Sequence, residues 1–475
     1  MPDQVDAPAN PLHERYASRE MGRLFSAEHR YGTWRRIWIA LAECQRELGL
    51  PITEGHLAAL RNAPAIDFDR VAELEHQTRH DVVAHLRHFA EQAGEAGGIL
   101  HLGATSAFVT DNTDALVVRE ALDLLLSRLA RVLHELRGFA ERHRELPCLA
   151  YTHFQPAQLT TVGKRACLWL QDLLTDGEEL ERRRDGLRCR GAKGTTGTQA
   201  SFLTLFSGDH ERVRELDRRI AERLGFAASW PVTGQTYPRK QDSQVLAALS
   251  GVAESCHKMG TDLRLLQGLG ELSEPFDEKQ VGSSAMAYKR NPVRAERMCS
   301  LARRLITDSL NGALNASTQW LERSLDDSAN RRLVLTDSLL TADAVLGLAG
   351  GICAGLRVHS EAISARVERE LPFMATETFL MEASLRGGDR QDLHEAIRGY
   401  SLEAHAAVAG GGQNRLLDAI AADARFGLSL EELRSMLDPV AFTGRSARQV
   451  SELVEEHVDP FLARVTPAPL DHPRV

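Results

Sequence analysis

Residues 112–145 read NTDALVVREALDLLLSRLARVLHELRGFAERHRE, and this stretch decides the fold. Its apolar residues recur every three or four positions, as they do on one face of an α-helix. They are Leu116, Val117, Leu122, Leu125, Leu129, Val132, Leu133, Leu136 and Phe139. The same spacing returns in residues 160–188, 238–270, 291–319 and 329–357. Helices of about 25 to 30 residues are roughly 40 Å long, so they must lie side by side in a bundle.

The regions on either side of the bundle have shorter helical patterns. Residues 1–111 are expected to form an N-terminal helical domain, with helices near 34–48, 53–61 and 69–92. Thr53 is expected to cap the second of these helices. Residues 112–359 form the central bundle domain, and 360–475, interrupted by proline and glycine, a C-terminal helical domain. The sequence therefore predicts an all-α protein of three domains.

Strands are expected to be nearly absent, because stretches with period-2 alternation are rare. At most, a small hairpin is expected around 187–197 or 229–233, and residues 151–158 are expected to be an irregular connection. The bundle helices also carry apolar residues on more than one face, since Val117 and Val118 stand beside Leu116. This pattern predicts additional burial against a partner.

Composition and charge exclude several classes of protein. A net charge of −9 over 475 residues argues against a surface that binds nucleic acid. The seven cysteines form no Cys-x-x-Cys pair, which indicates free thiols in a reducing compartment rather than disulfides or a zinc site. Neither a signal-peptide pattern nor an apolar run of transmembrane length is expected. These features predict a soluble, cytoplasmic protein that acts neither on nucleic acid nor in a membrane.

Residues 282–297, GSSAMAYKRNPVRAER, combine hydroxyls, small residues and a cation ahead of a helix. Asn291 is expected to cap that helix and Pro292 to occupy its first position. A loop that places Ser283 and Lys289 over a bound anion can remove a proton and stabilise the negative charge that results. The alternative interpretation is an ordinary Ser/Gly surface loop.

Other polar groups stand at the ends of helices or between them. His153, in the segment THFQPAQ, has the side chain best suited to proton transfer near neutral pH, although a structural hydrogen-bonding role is open. Arg79-His80-Asp81 lies in a helical pattern. His76 and His80 have the i, i+4 spacing of metal ligands on a helix. No metal is expected there, because the glutamate of the His-Glu-x-x-His motif and a third ligand are missing.

Arg323, Ser328 and Arg332 lie around the turn that precedes the last bundle helix. Ser328 is expected to cap this helix, whose free N–H groups and neighbouring arginines suit a phosphate. A capped helix with surface arginines is the alternative.

These motifs together resemble the adenylosuccinate lyase family of the fumarase/aspartase superfamily. The match includes GSSAM-A-YKRNP and THFQPAQ, with RYAS at 15–18, GATS at 103–106, QLTTVGKR at 158–165, LDDSANRR at 325–332, LPFMATE at 371–377 and FTGR at 442–445. The sequence departs from the family motif at Ala287, where proline is usual. The resemblance implies a three-domain fold whose central helices form the core of a homotetramer, with each site built from three subunits.

The resemblance also implies the roles of individual residues. Ser283 would remove a proton next to a succinyl carboxylate, Lys289 would stabilise the charge, His153 would protonate the departing nitrogen, and Glu296 would hydrogen-bond to His153. Substrate contacts are implied for Arg15, Tyr16, Arg79, His80, Asp81, Thr105, Ser106, Thr152, Gln235, Asn291, Arg297, Arg323, Ser328 and Arg332.

The implied reaction releases fumarate from succinylated purine nucleotides and needs no cofactor, because the substrate's carboxylate accepts the electrons. Two alternatives remain open. A related lyase for argininosuccinate, aspartate or malate would not need the phosphate-binding cluster, and a non-catalytic scaffold protein would not need the loop.

Overall fold

The N-terminal part of the chain is helical, as predicted. The computed structural model describes residues 10–277, 285–286 and 288–470. After a short π-helix (Leu12–Tyr16) come α1 (Arg19–Leu24), α2 (Ala27–Glu47), α3 (Glu54–Arg61), α4 (Phe68–Thr78) and α5 (Asp81–Ala93). The predicted cap of α3 is confirmed, because the Thr53 hydroxyl accepts the His56 N–H at 3.1 Å.

The continuous helix expected over 69–92 is wrong. It breaks between α4 and α5, where Arg79 adopts a left-handed conformation with φ of 54°. A residue in the left-handed conformation ends a helix, and this residue is usually glycine or asparagine. Because arginine stands at this position, the sequence does not indicate the break. His80 follows as the N-cap of α5. The break therefore places the Arg-His-Asp triplet at a junction instead of on a helix face.

The central bundle agrees closely with the predicted long helices. It consists of α6 (Ser106–Arg142), α7 (Val162–Asp185), α10 (Lys240–Gly268), α11 (Val293–Ser317) and α12 (Asp327–Ala354), and short helices α8 (Ala200–Leu205) and α9 (His210–Arg223) lie between α7 and α10. Helix α6 begins before the predicted residue 112, because Ala107, Phe108 and Val109 extend its buried face. Each large aliphatic side chain in this core contributes about 1.5–3 kcal/mol by leaving water.

Helix α12 is long and apolar enough to cross a membrane by length and composition, contrary to expectation. In the protein, 78% of its most apolar window is buried against other elements. Such burial is typical of the core helix of a soluble protein, and α12 occupies that place here, packed on α6, α10 and α11.

The starts of α11 and α12 differ from the prediction. Pro292 occupies the cap position of α11 without a side-chain cap, and the buried Glu274 carboxylate instead accepts the N–H groups of Arg294 and Ala295 at 3.0 and 2.9 Å. Helix α12 begins at Asp327, so Ser328 lies in its first turn and does not cap it. In α11, therefore, the distant residue Glu274 caps the helix in place of Asn291.

A β-hairpin replaces the irregular connection expected at 151–158. Strand β1 (Pro147–Thr152) pairs antiparallel with β2 (Gln155–Thr161), and β3 (Leu272–Ser273) pairs with β4 (Arg357–Val358). The hairpins considered at 187–197 and 229–233 do not form in the described chain; Cys189 and Ser229 make an isolated parallel bridge there. Strand β2 is mostly exposed and contains a proline, which explains why its sequence gives a weak strand signal.

The C-terminal part has a hydrophobic core of its own. It contains α13 (Ser360–Met374), α14 (Thr376–Leu385), α15 (Arg390–Ala409), α16 (Leu416–Ala422), α17 (Leu430–Ser435), α18 (Ser446–Leu453) and α19 (Asp459–Arg464). Phe379, Leu393, Leu416 and Phe426 are fully buried in this second cluster. Helices α18 and α19 instead return to the bundle, where Val450 and Phe461 join the main core.

Candidate active site

A cavity of about 410 Å³ lies where α5, α6 and α12 begin. Eight of the residues predicted for the site line it: His80, Asp81, Thr105, Ser106, Gln235, Arg323, Ser328 and Arg332. They come from distant parts of the sequence. The fold therefore brings together a large share of the predicted substrate contacts within one chain.

The helix starts add the positive ends of their dipoles to a cavity lined by arginines and aspartates. The first N–H groups of a helix lack partners inside the helix and carry the positive end of its dipole. At the start of α6 the Thr105 side chain makes no capping hydrogen bond, and α12 likewise begins without a side-chain cap. Backbone donors of both helices thus begin at a cavity that also contains arginines. The arrangement is suited to an anion.

His80 contributes to both the helix and the cavity. Its Nδ1 accepts the Val83 N–H at 3.5 Å and so caps α5, while Nε2 lies 3.4 Å from the Ser106 hydroxyl at the start of α6. The imidazole is exposed to the cavity. One side chain thereby contacts the starts of both helices.

The predicted arginines are held by carboxylates without being neutralised completely. Arg323 donates to Asp327 at 2.7 Å. Arg332 lies 3.6 Å from Asp81 and remains more than half exposed. A guanidinium presents several N–H donors, so each arginine keeps donors for a ligand. Both can bind phosphate or carboxylate oxygens.

A buried network of charged residues forms the floor of the cavity, and the sequence interpretation missed it. Arg239 donates to both oxygens of Asp111, at 3.1 and 3.2 Å, and to Asp327 at 2.6 Å. All of these side chains are nearly inaccessible to water. Burial raises the pKa of Asp327, but Arg239 and Arg323 outweigh it and hold that pKa below its ordinary value. The carboxylate therefore stays ionised and fixes the first turn of α12.

Tyr237 and Arg331 extend this network. The Tyr237 hydroxyl donates to Asp242 at 2.6 Å and accepts from Arg331, which also donates to Asp242 at 2.6 Å and to Asp114. Burial raises the pKa of Tyr237 well above its ordinary value, so its hydroxyl stays protonated. The sequence signal was present as charged residues at buried helix positions. Their pairing could not be derived, because the partners are far apart in the chain.

Gln235 is held in place by Glu322 and by Arg190, which stands just before the Gly/Thr-rich segment at 191–199. Its N–H donates to the Glu322 carbonyl at 2.9 Å, and its carbonyl accepts from the Arg190 Nε at 2.6 Å. Arg190 is fully buried and also donates to the Gly194 carbonyl at 2.5 Å. The segment at 191–199 thus supports the cavity wall.

The other predicted site residues lie elsewhere. Arg15 and Tyr16 line a second cavity of about 440 Å³, and the Arg297 guanidinium lies 6.0 Å from the centre of the Tyr16 ring. Arg79, at the helix break, is exposed and does not line the first cavity. Tyr16 and Arg297 therefore form a separate group within the chain.

Thr152 and His153 lie at the exposed end of the β1–β2 hairpin. Thr152 pairs with Gln155, so His153 and Phe154 form a two-residue turn, with φ values of 53° and 59°. Among the described residues, no hydrogen bond to the His153 imidazole is found, and Glu296 does not contact it within the chain. The ring is open to a ligand or to another chain.

The signature segment is described only in part. Ser283 and Ala287 lie outside the described residues. Lys289 and Glu296 are exposed, and Asn291 is half-buried just before α11. The Lys289 N–H donates to the Met286 carbonyl at 3.0 Å. Lys289, Asn291, Glu296 and Arg297 therefore cluster around the start of α11, apart from the first cavity.

Comparisons with known proteins identify the family of the chain. A lyase family profile matches residues 30–307, and a profile for the adenylosuccinate lyase C-terminus matches residues 372–453. Adenylosuccinate lyase of Saccharomyces cerevisiae is 49% identical over 464 residues, covering 97% of this chain and 96% of that protein. The enzymes of Schizosaccharomyces pombe and Schistosoma mansoni are 45% and 46% identical, covering 98% and 97% of this chain and the same shares of each relative.

Solved structures show the same fold at lower identity. A fumarate lyase from Mesorhizobium sp. BNC1 superposes with a TM-score of 0.79 at 23% identity, covering 94% of this chain and 99% of that one. A 3-carboxy-cis,cis-muconate lactonizing enzyme from Pseudomonas putida gives 0.81 at 24% identity, covering 95% and 100%. The predicted, mainly helical fold of the superfamily is thus confirmed. The chain is a lyase that belongs to the adenylosuccinate lyase family of the fumarase/aspartase superfamily.

Proposed function

We propose that the chain eliminates fumarate from adenylosuccinate, giving AMP, and from succinylaminoimidazole carboxamide ribotide, giving the carboxamide ribotide, in purine nucleotide synthesis. The observation that carries the proposal is the cavity at the starts of α5, α6 and α12, lined by Arg323, Arg332 and Ser328. These substrates carry a phosphate and carboxylates, which match backbone donors and guanidinium groups.

In the proposed reaction, Ser283 removes a proton from the carbon next to a succinyl carboxylate. The electron pair moves into that carboxylate, and Lys289 and backbone N–H groups stabilise the charge. His153 donates a proton to the departing nitrogen while the C–N bond breaks, and Glu296 hydrogen-bonds to His153. The pair from the broken C–H bond forms the new C=C bond, so fumarate and the amine leave without a cofactor or a metal.

We also propose that the active unit is a cytoplasmic homotetramer of three-domain subunits (1–111, 112–359 and 360–475), with sites shared between subunits. The described part of one chain leaves His153, the start of α11 and the first cavity apart, so a shared site would unite them. Large apolar side chains are exposed on and between α11 and α12, which suits a subunit contact: Leu310, Leu314, Trp320, Leu321, Leu325 and Leu333. All seven cysteines are unpaired, in keeping with a reducing compartment.

The first experiment measures fumarate release from adenylosuccinate, with argininosuccinate in parallel. Release from adenylosuccinate alone supports the proposal, whereas release from argininosuccinate alone would replace it with the related lyase. No release from either by a folded protein would favour a scaffold role. Ser283→Ala should remove most turnover and leave AMP binding largely intact.

The contribution of the cavity is tested with Arg332→Gln. Loss of charged hydrogen bonds to the substrate should raise the KM for adenylosuccinate by about 10- to 100-fold. Arg398→Gln is a matched control, because Arg398 has the same exposure and one carboxylate partner but lies in the C-terminal core region. Equal KM values for the two variants would show that the cavity is not the nucleotide site.

Sharing of sites is tested by mixing inactive variants. If His153 and Ser283 in one site come from different chains, hybrids of His153→Ala and Ser283→Ala subunits contain some sites with neither change. Dissociation and reassociation of the mixture should restore part of the activity. Continued inactivity of hybrids with the normal mass would refute sharing between these residues.

A further inference from the structure

The turn that carries His153 has an unfavourable backbone and needs support. A two-residue hairpin turn with both φ values positive is normally occupied by Asn-Gly or similar residues, because a side chain disfavours this conformation. Here the positions are occupied by His153 and Phe154. Residues held in such conformations persist only when their surroundings fix them. The contacts of the hairpin therefore decide where the imidazole lies.

Tyr151 provides the support on one side of the turn. Its ring lies 5.7 Å, centre to centre, from the ring of Phe154. Its hydroxyl donates to the Glu271 carboxylate at 2.9 Å. Glu271 is only 1% exposed and Tyr151 is half-buried, so the hydrogen bond is largely shielded from water. The hairpin end is thus attached through Tyr151 to a buried anion.

Arg165 of α7 balances the charge of Glu271 and holds the same hairpin. One of its terminal nitrogens lies 3.4 Å from Glu271, and the other donates to the Leu149 carbonyl of β1. A carboxylate buried without such a partner would be costly. Glu271, Arg165 and Tyr151 therefore form one connected group around β1.

The segment that begins at Glu271 also fixes the start of α11. The Glu271 carbonyl accepts the His359 N–H at 2.9 Å, and β3 follows directly. Glu274, the next residue after β3, caps α11 at Arg294 and Ala295. The same short segment thus supports the hairpin at one end and the helix that carries Glu296 at the other.

We propose that Tyr151 and Glu271 are positioning residues that act through His153, by holding the strained turn so that the imidazole meets the leaving nitrogen. The inference rests on the proposed role of His153 as the proton donor. It goes beyond that role, because it assigns a function in catalysis to a half-buried tyrosine and a buried carboxylate that do not line the first cavity.

The test compares Tyr151→Phe with Tyr400→Phe. Phenylalanine keeps the ring that packs on Phe154 and removes only the hydroxyl. Tyr400 is a matched control, because its hydroxyl donates to the Asp423 carboxylate at 3.0 Å in the separate C-terminal core. We expect Tyr151→Phe to lower kcat about tenfold, since misplacement of a catalytic group is costly. The Kd for AMP should stay within twofold, and Tyr400→Phe should leave kcat within twofold.

A kcat for Tyr151→Phe within twofold of the wild-type value would overturn the proposal. A drop in kcat matched by Tyr400→Phe, or by an equal weakening of AMP binding, would also overturn it, because a general loss of structure predicts that result. Thermal midpoints of both variants show that the folded fraction is the same in each assay.

Action through His153 is tested by combining Tyr151→Phe with His153→Ala in single-turnover reactions. If Tyr151 works through the imidazole, Tyr151→Phe adds less than twofold to the loss that His153→Ala causes alone. Full additivity would refute the positioning role and leave the proposed function standing. Absence of fumarate release by the wild-type protein would instead refute the proposed function.

Discussion

Replacement of Asp327 by asparagine is the sharpest test of the buried network under the cavity. The carboxylate is inaccessible to water and accepts from Arg239 at 2.6 Å and from Arg323 at 2.7 Å. Hydrogen bonds to charged groups are each worth about 1.5–3 kcal/mol. Asparagine keeps one acceptor and presents an NH₂ group towards a guanidinium, so the buried Arg239 keeps only Asp111 and the mostly buried Arg323 loses its carboxylate partner. We therefore expect Asp327→Asn to lower the free energy of unfolding by about 3–5 kcal/mol.

The assay is urea-induced unfolding followed by circular dichroism at a fixed protomer concentration, because association alters apparent stability. Asp308→Asn is the matched control: the same change on a bundle helix, at a carboxylate that is 20% exposed and lies 2.7 Å from Arg304. An exposed pair of this kind should cost less than about 1 kcal/mol. Equal losses in the two variants, or a loss below about 1 kcal/mol for Asp327→Asn, would refute the reasoning, because it assigns the larger loss to burial and to the second arginine partner of Asp327.

Two further predictions concern stability. Burial raises the pKa of Asp176 to about 6 from an ordinary 3.8, so the folded protein keeps a proton that the unfolded chain releases. The free energy of unfolding should therefore fall by about 2–3 kcal/mol as the pH rises from the unfolded-state pKa to the folded-state pKa. Asp176→Asn should raise the thermal midpoint more at pH ~8 than at pH ~5, and equal increases at the two pH values would contradict the prediction. Gly197 has φ of 85°, and an added Cβ would lie 1.7 Å from the Thr233 carbonyl oxygen. Gly197→Ala should therefore cost about 3 kcal/mol or more in urea unfolding, against about 1 kcal/mol for Gly208→Ala, which has the same φ and open space; similar costs would show that the clash is relieved.

The long helices could be predicted because their periodicity is a local property. Leu122, Leu125, Leu129 and Leu136 are all fully buried, as the spacing required. The hairpin and the break between α4 and α5 could not be predicted in the same way. Both depend on left-handed residues that are not glycine, at Arg79 and in the His153 turn, and tertiary contacts stabilise them against their own preference.

The residues of the candidate site could be predicted where they belong to a sequence motif. They could not be predicted where the interacting side chains are far apart in the sequence. Motif matching found His80 and Arg332 of the cavity. It did not find Arg239, whose carboxylate partners lie 88 and 128 residues away in sequence. An arginine in a helical pattern is normally a solvated residue, so only the packed structure distinguishes Arg239 from its exposed counterparts.

The cap that His80 makes on α5 competes with a second contact at the same ring nitrogen. Nδ1 lies 3.5 Å from the Val83 nitrogen, whose N–H requires a lone pair there, and 3.4 Å from the Asp81 carboxylate, which requires a hydrogen there. The two tautomers of a neutral ring therefore satisfy different neighbours, and Nε2 presents a hydrogen to the Ser106 hydroxyl in one and a lone pair in the other. Because a hydroxyl group rotates to suit its partner, Ser106 can donate to a ligand or accept from it, so this end of the cavity accommodates both a carboxylate oxygen and an amino group.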